Sequence, residues 1–296
     1  MTIVDNLSTG NRANLTAALE RGATLRVGDI TQASSASALA EPAPESVFHL
    51  AAQVDVRRAV CDPMLDATVN VAGTAGTLEA ARVAGSRLVF ASTGGAIYGE
   101  GMDRDLPLSE SEGCFPDSPY GQSKLAAEGY VEYYRRVHGI PGVALRLGNV
   151  YGPRQDPLGE AGVIAIFCGE LERGGVPTVY GDGHQTRDYV YVDDVVGAML
   201  AADARLAEDP GTTGPYNIGT GRETTVLALA EHLRRIGGRP EFVAQLAPAR
   251  PGEVQRIALD CSRAAAELGW KARTRLDDGL ERTVAAAVHA PRIRSG

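Results

Sequence analysis

Short apolar runs alternate with segments of helical periodicity through the first half of the chain, and this alternation is the strongest constraint on its fold. Val47-Phe48-His49-Leu50 and Leu88-Val89-Phe90 are near-continuous apolar runs. Strands covered on both faces read this way, because neither side has to meet water. Thr2–Asp5, Ala23–Val27, Ser46–Leu50, Arg87–Ser92 and Val143–Leu147 are the strand candidates. Asn11–Arg21, Asp62–Ala84 and Ser118–His138 carry helical spacing, the last opened by a Ser cap with Pro119 in its first turn. Such alternation predicts βαβ units, and hence an α/β fold with a doubly wound parallel sheet. Past Tyr151 the texture shifts to Gly152-Pro153, Gly174-Gly175 and Gly181-Asp182-Gly183, with helical stretches at Val192–Arg205, Val226–Gly237 and Ser262–Gly269. A smaller second lobe is expected there, with Tyr189–Arg205 returning to the first.

The 296 residues suffice for a large α/β domain or two unequal lobes. The net charge of −8 argues against nucleic acid as the main partner, since phosphate backbones attract clustered Lys and Arg. No apolar stretch reaches the roughly 18 residues of a membrane span, and the first residues do not have the basic, apolar, small-residue order expected of a signal peptide. Cys61, Cys114, Cys168 and Cys261 are far apart and form no CxxC, which reads as free thiols in a reducing cytoplasm. The histidines lack metal-ligand spacing, so no metal is expected.

Several motifs end strands with polar or small residues. Asp5-Asn6 closes the first; a carboxylate there can hold both ribose hydroxyls of a dinucleotide, and its charge disfavours a 2′-phosphate. Arg12 is close by, and a plain Asp-Asn turn is the alternative. Asp29-Ile30 follows the next strand, where the carboxylate can reach an adenine amino group or merely cap a helix. Leu50, Ala51, Ala52 and Gln53 follow a third, small enough for close backbone approach or for a tight strand–helix joint. Tyr120 and Lys124 are four residues apart, hence on one helix face. A fixed ammonium favours the phenolate and brings a base whose unperturbed pKa is about 10 towards working pH. An exposed helix pair is the competing reading. The Ala91-Ser92-Thr93-Gly94-Gly95 strand end precedes Tyr120 by 27 positions, counted from Thr93. Thr93 is the choice for a hydroxyl beside the tyrosine, and Ser92 is its rival.

DNLSTG, GDI, HLAAQ, ASTGGAIYG, SPYGQSK, LRLGNVYGP, GDGHQTRDYVYVDDV and RPGE occur in this order between Val4 and Trp270. Together they resemble the extended short-chain dehydrogenase/reductase family of NAD-dependent epimerases and dehydratases, most of all its UDP-glucose 4-epimerases. The resemblance implies a Rossmann-type sheet and NAD held by Asp5, Asn6, Asp29, Ile30, Leu50, Ala51, Ala52, Gln53, Asn70, Tyr120 and Lys124. It implies catalysis by Tyr120, Lys124 and Thr93. It implies a nucleotide sugar held by Thr93, Asn149, Val163, Tyr180, Arg187, Arg250 and Glu253, the two arginines clamping phosphates bidentately. An ion pair with Asp188 or Asp182 is the alternative for Arg187. Residues 1–150 and 188–216 would form the dinucleotide-binding domain, and 151–187 with 217–296 the nucleotide-sugar lobe.

The implied reaction is epimerisation at carbon 4 of a UDP-hexose, in a cytoplasmic homodimer joined through Asp62–Ala84 and Ser118–His138. Related dehydratases and decarboxylases carry acids in the loop after the Ser/Thr; here it reads Gly94-Gly95-Ala96. The alternatives are another NDP-sugar oxidoreductase, acting on a dTDP- or N-acetylated sugar, and a non-catalytic dinucleotide-binding protein. Ile257 lies where the resemblance places a gate for acetylated sugars. In one respect the chain departs from the pattern. The family opens with a strand and a glycine loop roughly 25 residues ahead of the first acidic motif, whereas that motif begins here at residue 5. The expectation is an N-terminally truncated chain, lacking the first strand and glycine loop, that retains NAD poorly as written.

Overall fold

The computed structural model describes residues 1–32, 39–41, 43–100, 104–156, 162–249 and 254–288. β1 (Thr2–Asp5) and β2 (Thr24–Val27) form a parallel pair. β3 (Ser46–His49), β4 (Arg87–Thr93), β5 (Gly142–Leu147) and β10 (Tyr216–Ile218) form a separate parallel sheet in the order β10-β5-β4-β3. The expected Rossmann-like parallel sheet with covering helices is therefore present.

The central strands show why their sequence is so uniformly apolar. Leu88 and Phe90 of β4 pack with Ala144 of β5 against one pair of helices, through Leu78, Ala81, Ala127 and Val131. Val89, Val143 and Leu145 face the other way, onto Val195, Ala198, Met199 and Ala202. Alternate residues serve opposite faces, so Leu88, Val89 and Phe90 of β4 and Gly142 to Arg146 of β5 are all buried. β3 differs from expectation. Val47 and His49 are buried, but Phe48 is 38% and Leu50 58% exposed. This edge strand is covered on one face, and its apolar run is not a sign of two-sided burial.

The helices needed below are α1 (Val56–Cys61), α2 (Pro63–Ala67), α3 (Gly73–Ala84), α4 (Pro119–His138), α5 (Val163–Arg173), α6 (Val192–Glu208), α7 (Val226–Ile236) and α8 (Leu276–Val288). α1, α5 and α8 escaped the sequence reading. The segment read as one helix over 62–84 is α2 and α3 joined by a π-helical turn, Thr68–Ala72. Such turns insert a residue and reorient the side chains around it, often at functional sites. Here the turn contains Asn70, 1% exposed. The segment read as a helix over 11–21 is a 3₁₀ turn, Arg12–Leu15, followed by a short helix, Thr16–Glu20.

The rest of the chain builds a second core, where Tyr151, Phe167, Val179, Leu229, Phe242 and Leu280 meet under α5, α7 and α8. Short strands frame it. β6 (Asn149–Tyr151) pairs with β9 (Tyr189–Tyr191), β7 (Thr178–Tyr180) with β12 (Gln245–Ala247), and β8 (Thr186–Arg187) with β11 (Thr224–Thr225). α6 packs back against β4 and β5. Among the described residues, no helix is long and apolar enough to cross a membrane.

Candidate active site

The site is organised by the start of α4. Ser118 has an extended backbone and its Oγ accepts the Gly121 N–H at 3.1 Å, which fixes where the helix begins. Gly121 lets the helix rest on the turn after β4: a Cβ there would lie 2.6 Å from the Ala96 carbonyl oxygen. This close approach sets Tyr120 against the end of β4, where Thr93 is the side chain that acts on its hydroxyl. Neighbouring strand residues point to opposite sides. Ser92 accordingly turns away, and its Oγ donates to Glu128 Oε1 at 2.6 Å. Of the two hydroxyl candidates, Thr93 is the one beside the phenol.

Lys124 is one turn on from Tyr120 and 3% exposed. Burial pushes its pKa down to about 7, opposed by the negative charges of Glu128 and then Asp66. Its Nζ sits 4.2 Å from the centroid of the Phe90 ring, a cation–π contact. The sequence led to the expectation that this ammonium would lower the tyrosine's pKa. In the structure burial dominates instead: Tyr120 is pushed up to about 12, against the opposing effect of the Thr93 hydrogen bond. The ring is partly exposed, but its hydroxyl end is desolvated, and desolvation disfavours the phenolate. His49 is held down to about 3, by burial first and by Lys124 second. It is therefore a neutral imidazole, with Nε2 2.9 Å from Thr74 Oγ1.

A buried amide clasp lies beneath this pair. Asn70 Oδ1 accepts the Gln53 N–H at 2.8 Å, while its Nδ2 lies 2.9 Å from Gln53 O, 3.1 Å from Asp66 Oδ1 and 3.0 Å from Ser123 Oγ. Ser123 in turn donates to the Tyr120 carbonyl at 3.0 Å. The loop after β3, the π turn and α4 are thereby tied together. Leu50 and Ala51, just ahead of Gln53, are exposed and Ala52 is half-buried. Asp66, Glu128 and Ser123 were missed in the sequence. The four-residue spacing from Asp66 to Asn70 and from Lys124 to Glu128 was the available signal.

At the ends of β1 and β2, Asn6 Nδ2 donates to Asp29 Oδ2 at 3.0 Å, joining two motifs that are 23 residues apart. The Asp5 carboxylate accepts the Leu7 N–H at 2.6 Å and folds over Gly10, where a Cβ would lie 3.2 Å from either oxygen. Hydrogen bonds from Thr31 and then Asn6 hold the Asp29 carboxyl below its usual range. Ile30 packs onto α3 at Gly73, where a Cβ would come within 2.7 Å of its Cδ1.

A cleft opens beside this assembly, lined by Val56, Gly95, Ala96, Asp117, Arg187 and Val254, among others. Asp188 spends its carboxylate on Thr220 N and Oγ1, Gly221 N and Leu259 N, and Asp182 accepts the His184 N–H. The alternative of an ion pair as the reason for Arg187 is thus weakened. Asn149 is anchored by its N–H to Asp188 O at 2.7 Å; its Oδ1 is buried and lies 3.5 Å from where a Gly95 Cβ would be. Val163 packs against the second core and Tyr180 ends β7, both apart from the cleft lining. Arg250 and Glu253 lie outside the described residues. Ile257 is 1% exposed in a cluster with Tyr98, Leu108 and Leu259, and among the described residues of that segment it is Val254 that lines the cleft.

The family model described as GDP-mannose 4,6 dehydratase matches residues 1–283. A UDP-glucose 4-epimerase of Mycolicibacterium smegmatis is 42% identical over 283 residues, covering 95% of this chain and 88% of that protein. The structure of the Thermotoga maritima UDP-glucose 4-epimerase with UDP-glucose has a TM-score of 0.89 and 42% identity, over 96% of this chain and 89% of that one. The Thermus thermophilus UDP-glucose 4-epimerase complex with NAD has a TM-score of 0.88 and 39% identity, over 98% and 91% respectively. With the parallel sheet, the Tyr120–Thr93 pair and the buried Lys124 in place, this chain belongs to the GDP-mannose 4,6 dehydratase family, within the extended short-chain dehydrogenases/reductases.

Proposed function

We propose that this protein is an NAD-dependent epimerase that inverts carbon 4 of a UDP-hexose and interconverts UDP-glucose and UDP-galactose in the cytoplasm, a step of galactose metabolism. The observation that carries the reading is Tyr120 set against Thr93 at the end of β4, with the buried Lys124 one turn away. The named activity of the relatives supports it.

The residues present suit NAD. Polar groups lie at the carboxyl ends of parallel strands, with Asp5 closing β1 and the linked Asn6 and Asp29 just beyond β1 and β2. The Asp5 carboxylate disfavours a 2′-phosphate. Gln53 and Asn70 would line the site, together with Ile30, Leu50, Ala51 and Ala52. NAD supplies the hydride acceptor and is regenerated within each turnover. Residues 1–150 with 188–216 serve this cofactor, and 151–187 with 217–296 the nucleotide sugar.

Tyr120 takes the proton of the sugar's 4-hydroxyl, and Thr93 hydrogen-bonds the same oxygen as it becomes a ketone. Lys124 would steady the nicotinamide ribose. Asn149, Arg187, Arg250 and Glu253 hold the diphosphate and uridine, with Val163 and Tyr180 further out. With NAD bound, the 4-keto sugar would turn about its diphosphate linkage and present its other face for reduction, and Tyr120 would return the proton to the same oxygen. Gly95 and Ala96 line the cleft where a dehydratase would need an acid, which favours epimerisation.

Assay of UDP-galactose beside UDP-N-acetylgalactosamine tests this. Turnover of the first is expected; no turnover of either with NAD present overturns the reading. Preference for the second moves the substrate to N-acetylated sugars and implicates Val254 as the size-determining wall.

A homodimer is also proposed. α3 and α4 expose Val83, Tyr130, Tyr133 and Val137, and α2 exposes Met64 at 74%. An apolar surface of this kind on neighbouring helices suits self-association. Sedimentation equilibrium should return twice the chain mass, and Tyr133→Glu should shift it towards the monomer; a monomeric parent protein rejects the dimer.

A further inference from the structure

Asp66 plays no part in the reaction as described, yet it occupies a costly position. It is 1% exposed, and the donors to its Oδ1 are two neutral amides, Gln53 Nε2 at 2.9 Å and Asn70 Nδ2 at 3.1 Å. Its Oδ2 is buried without a hydrogen-bond partner among the described residues. A buried carboxylate needs compensation by charge as well as by hydrogen bonds. Glu128, the other carboxylate acting on Lys124, has its own cation: Arg146 Nη2 meets its Oε2 at 2.8 Å.

We propose that Asp66 is a positioning residue that clamps Asn70 and Gln53 beneath the reacting pair and adds to that of Glu128 a second negative charge that helps keep Lys124 an ammonium. The inference rests on the Tyr120–Lys124 reading of the site. Its mechanical part runs from Asp66 through Asn70 and Ser123 to the Tyr120 carbonyl, crossing from α2 to α4 by way of the π turn. Its electrostatic part reaches both Tyr120 and Lys124, on which the Asp66 charge acts. The groups that act on Lys124 are Glu128 from its own helix and Asp66 from α2; the neutral His49 of β3 and the Phe90 ring of β4 also bear on it, and Arg146 of β5 is tied to Glu128.

The chain makes the test direct, because its only lysines are Lys124 and the exposed Lys271. NMR of protein labelled with carbon-13 at lysine Cε gives two titrating resonances, with Lys271 as the internal control. Loss of a negative charge disfavours the ammonium, so Asp66→Asn should lower the Lys124 midpoint by about one pH unit and leave Lys271 unmoved. The same loss favours the phenolate, so both limbs of the kcat–pH profile should move to lower pH. Asp66→Glu keeps the charge but not the clamp, and should keep the Lys124 midpoint while kcat falls. An unmoved Lys124 midpoint in folded Asp66→Asn overturns the proposal. In the unaltered protein the Asp66 carboxyl resonance should show a step at the Lys124 midpoint, and its absence overturns the proposal even if neither variant folds. A protein that titrates as described but turns over no sugar supports the charge coupling and rejects the reaction.

Discussion

Tyr120→Phe lowers kcat for UDP-galactose by about 10²–10⁴-fold, the usual contribution of a positioned proton-transfer group. The substitution removes one hydroxyl and keeps the ring, so packing against the end of β4 is preserved and KM should change little. A fall confined to kcat marks an interaction made in the transition state. Burial pushes the native phenol up to about 12, so its phenolate becomes more populated as pH rises, and the loss should grow from acid pH towards neutral. A phenylalanine variant with full activity in a coupled assay would end the assignment of Tyr120, and with it the proposed mechanism.

Arg146→Met should destabilise the protein by about 3–5 kcal/mol, because it strands a buried carboxylate. The Arg146 and Glu128 side chains are 7% and 9% exposed and meet in a forked contact, Nη2 to Oε2 at 2.8 Å and Nε to Oε1 at 3.1 Å. Arg146 Nη1 also donates to the Tyr98 hydroxyl at 3.0 Å, which donates to Asn217 Oδ1 at 2.8 Å. Urea unfolding measures the loss. The double variant Glu128→Gln, Arg146→Met should recover most of it, since removing both charges leaves none uncompensated. Activity should remain low in the double variant, because Glu128 is the larger of the two carboxylate influences on Lys124. Recovered stability with full activity would remove Glu128 from the control of Lys124.

The sequence by itself determined the parallel sheet, because the period of its apolar runs and the lengths of the segments between them leave few other arrangements. It also determined Tyr120 and Lys124 as one face of a helix, since four residues make about one turn. Ser118 and Pro119 marked where that helix begins, and the observed start is Pro119. Tertiary structure decided the matters that depend on which surfaces meet. It selected Thr93 over Ser92, through the facing of β4 against α4. It placed a π turn inside a segment that reads as an unbroken helix, since backbone register there answers to packing rather than to periodicity. It left β3 open at Phe48, which a run of apolar letters cannot reveal. Above all it set the charges: the expectation that Lys124 would lower the Tyr120 pKa rested on spacing alone, whereas the actual direction follows from desolvation, a property of everything packed around the group rather than of its neighbours in the chain.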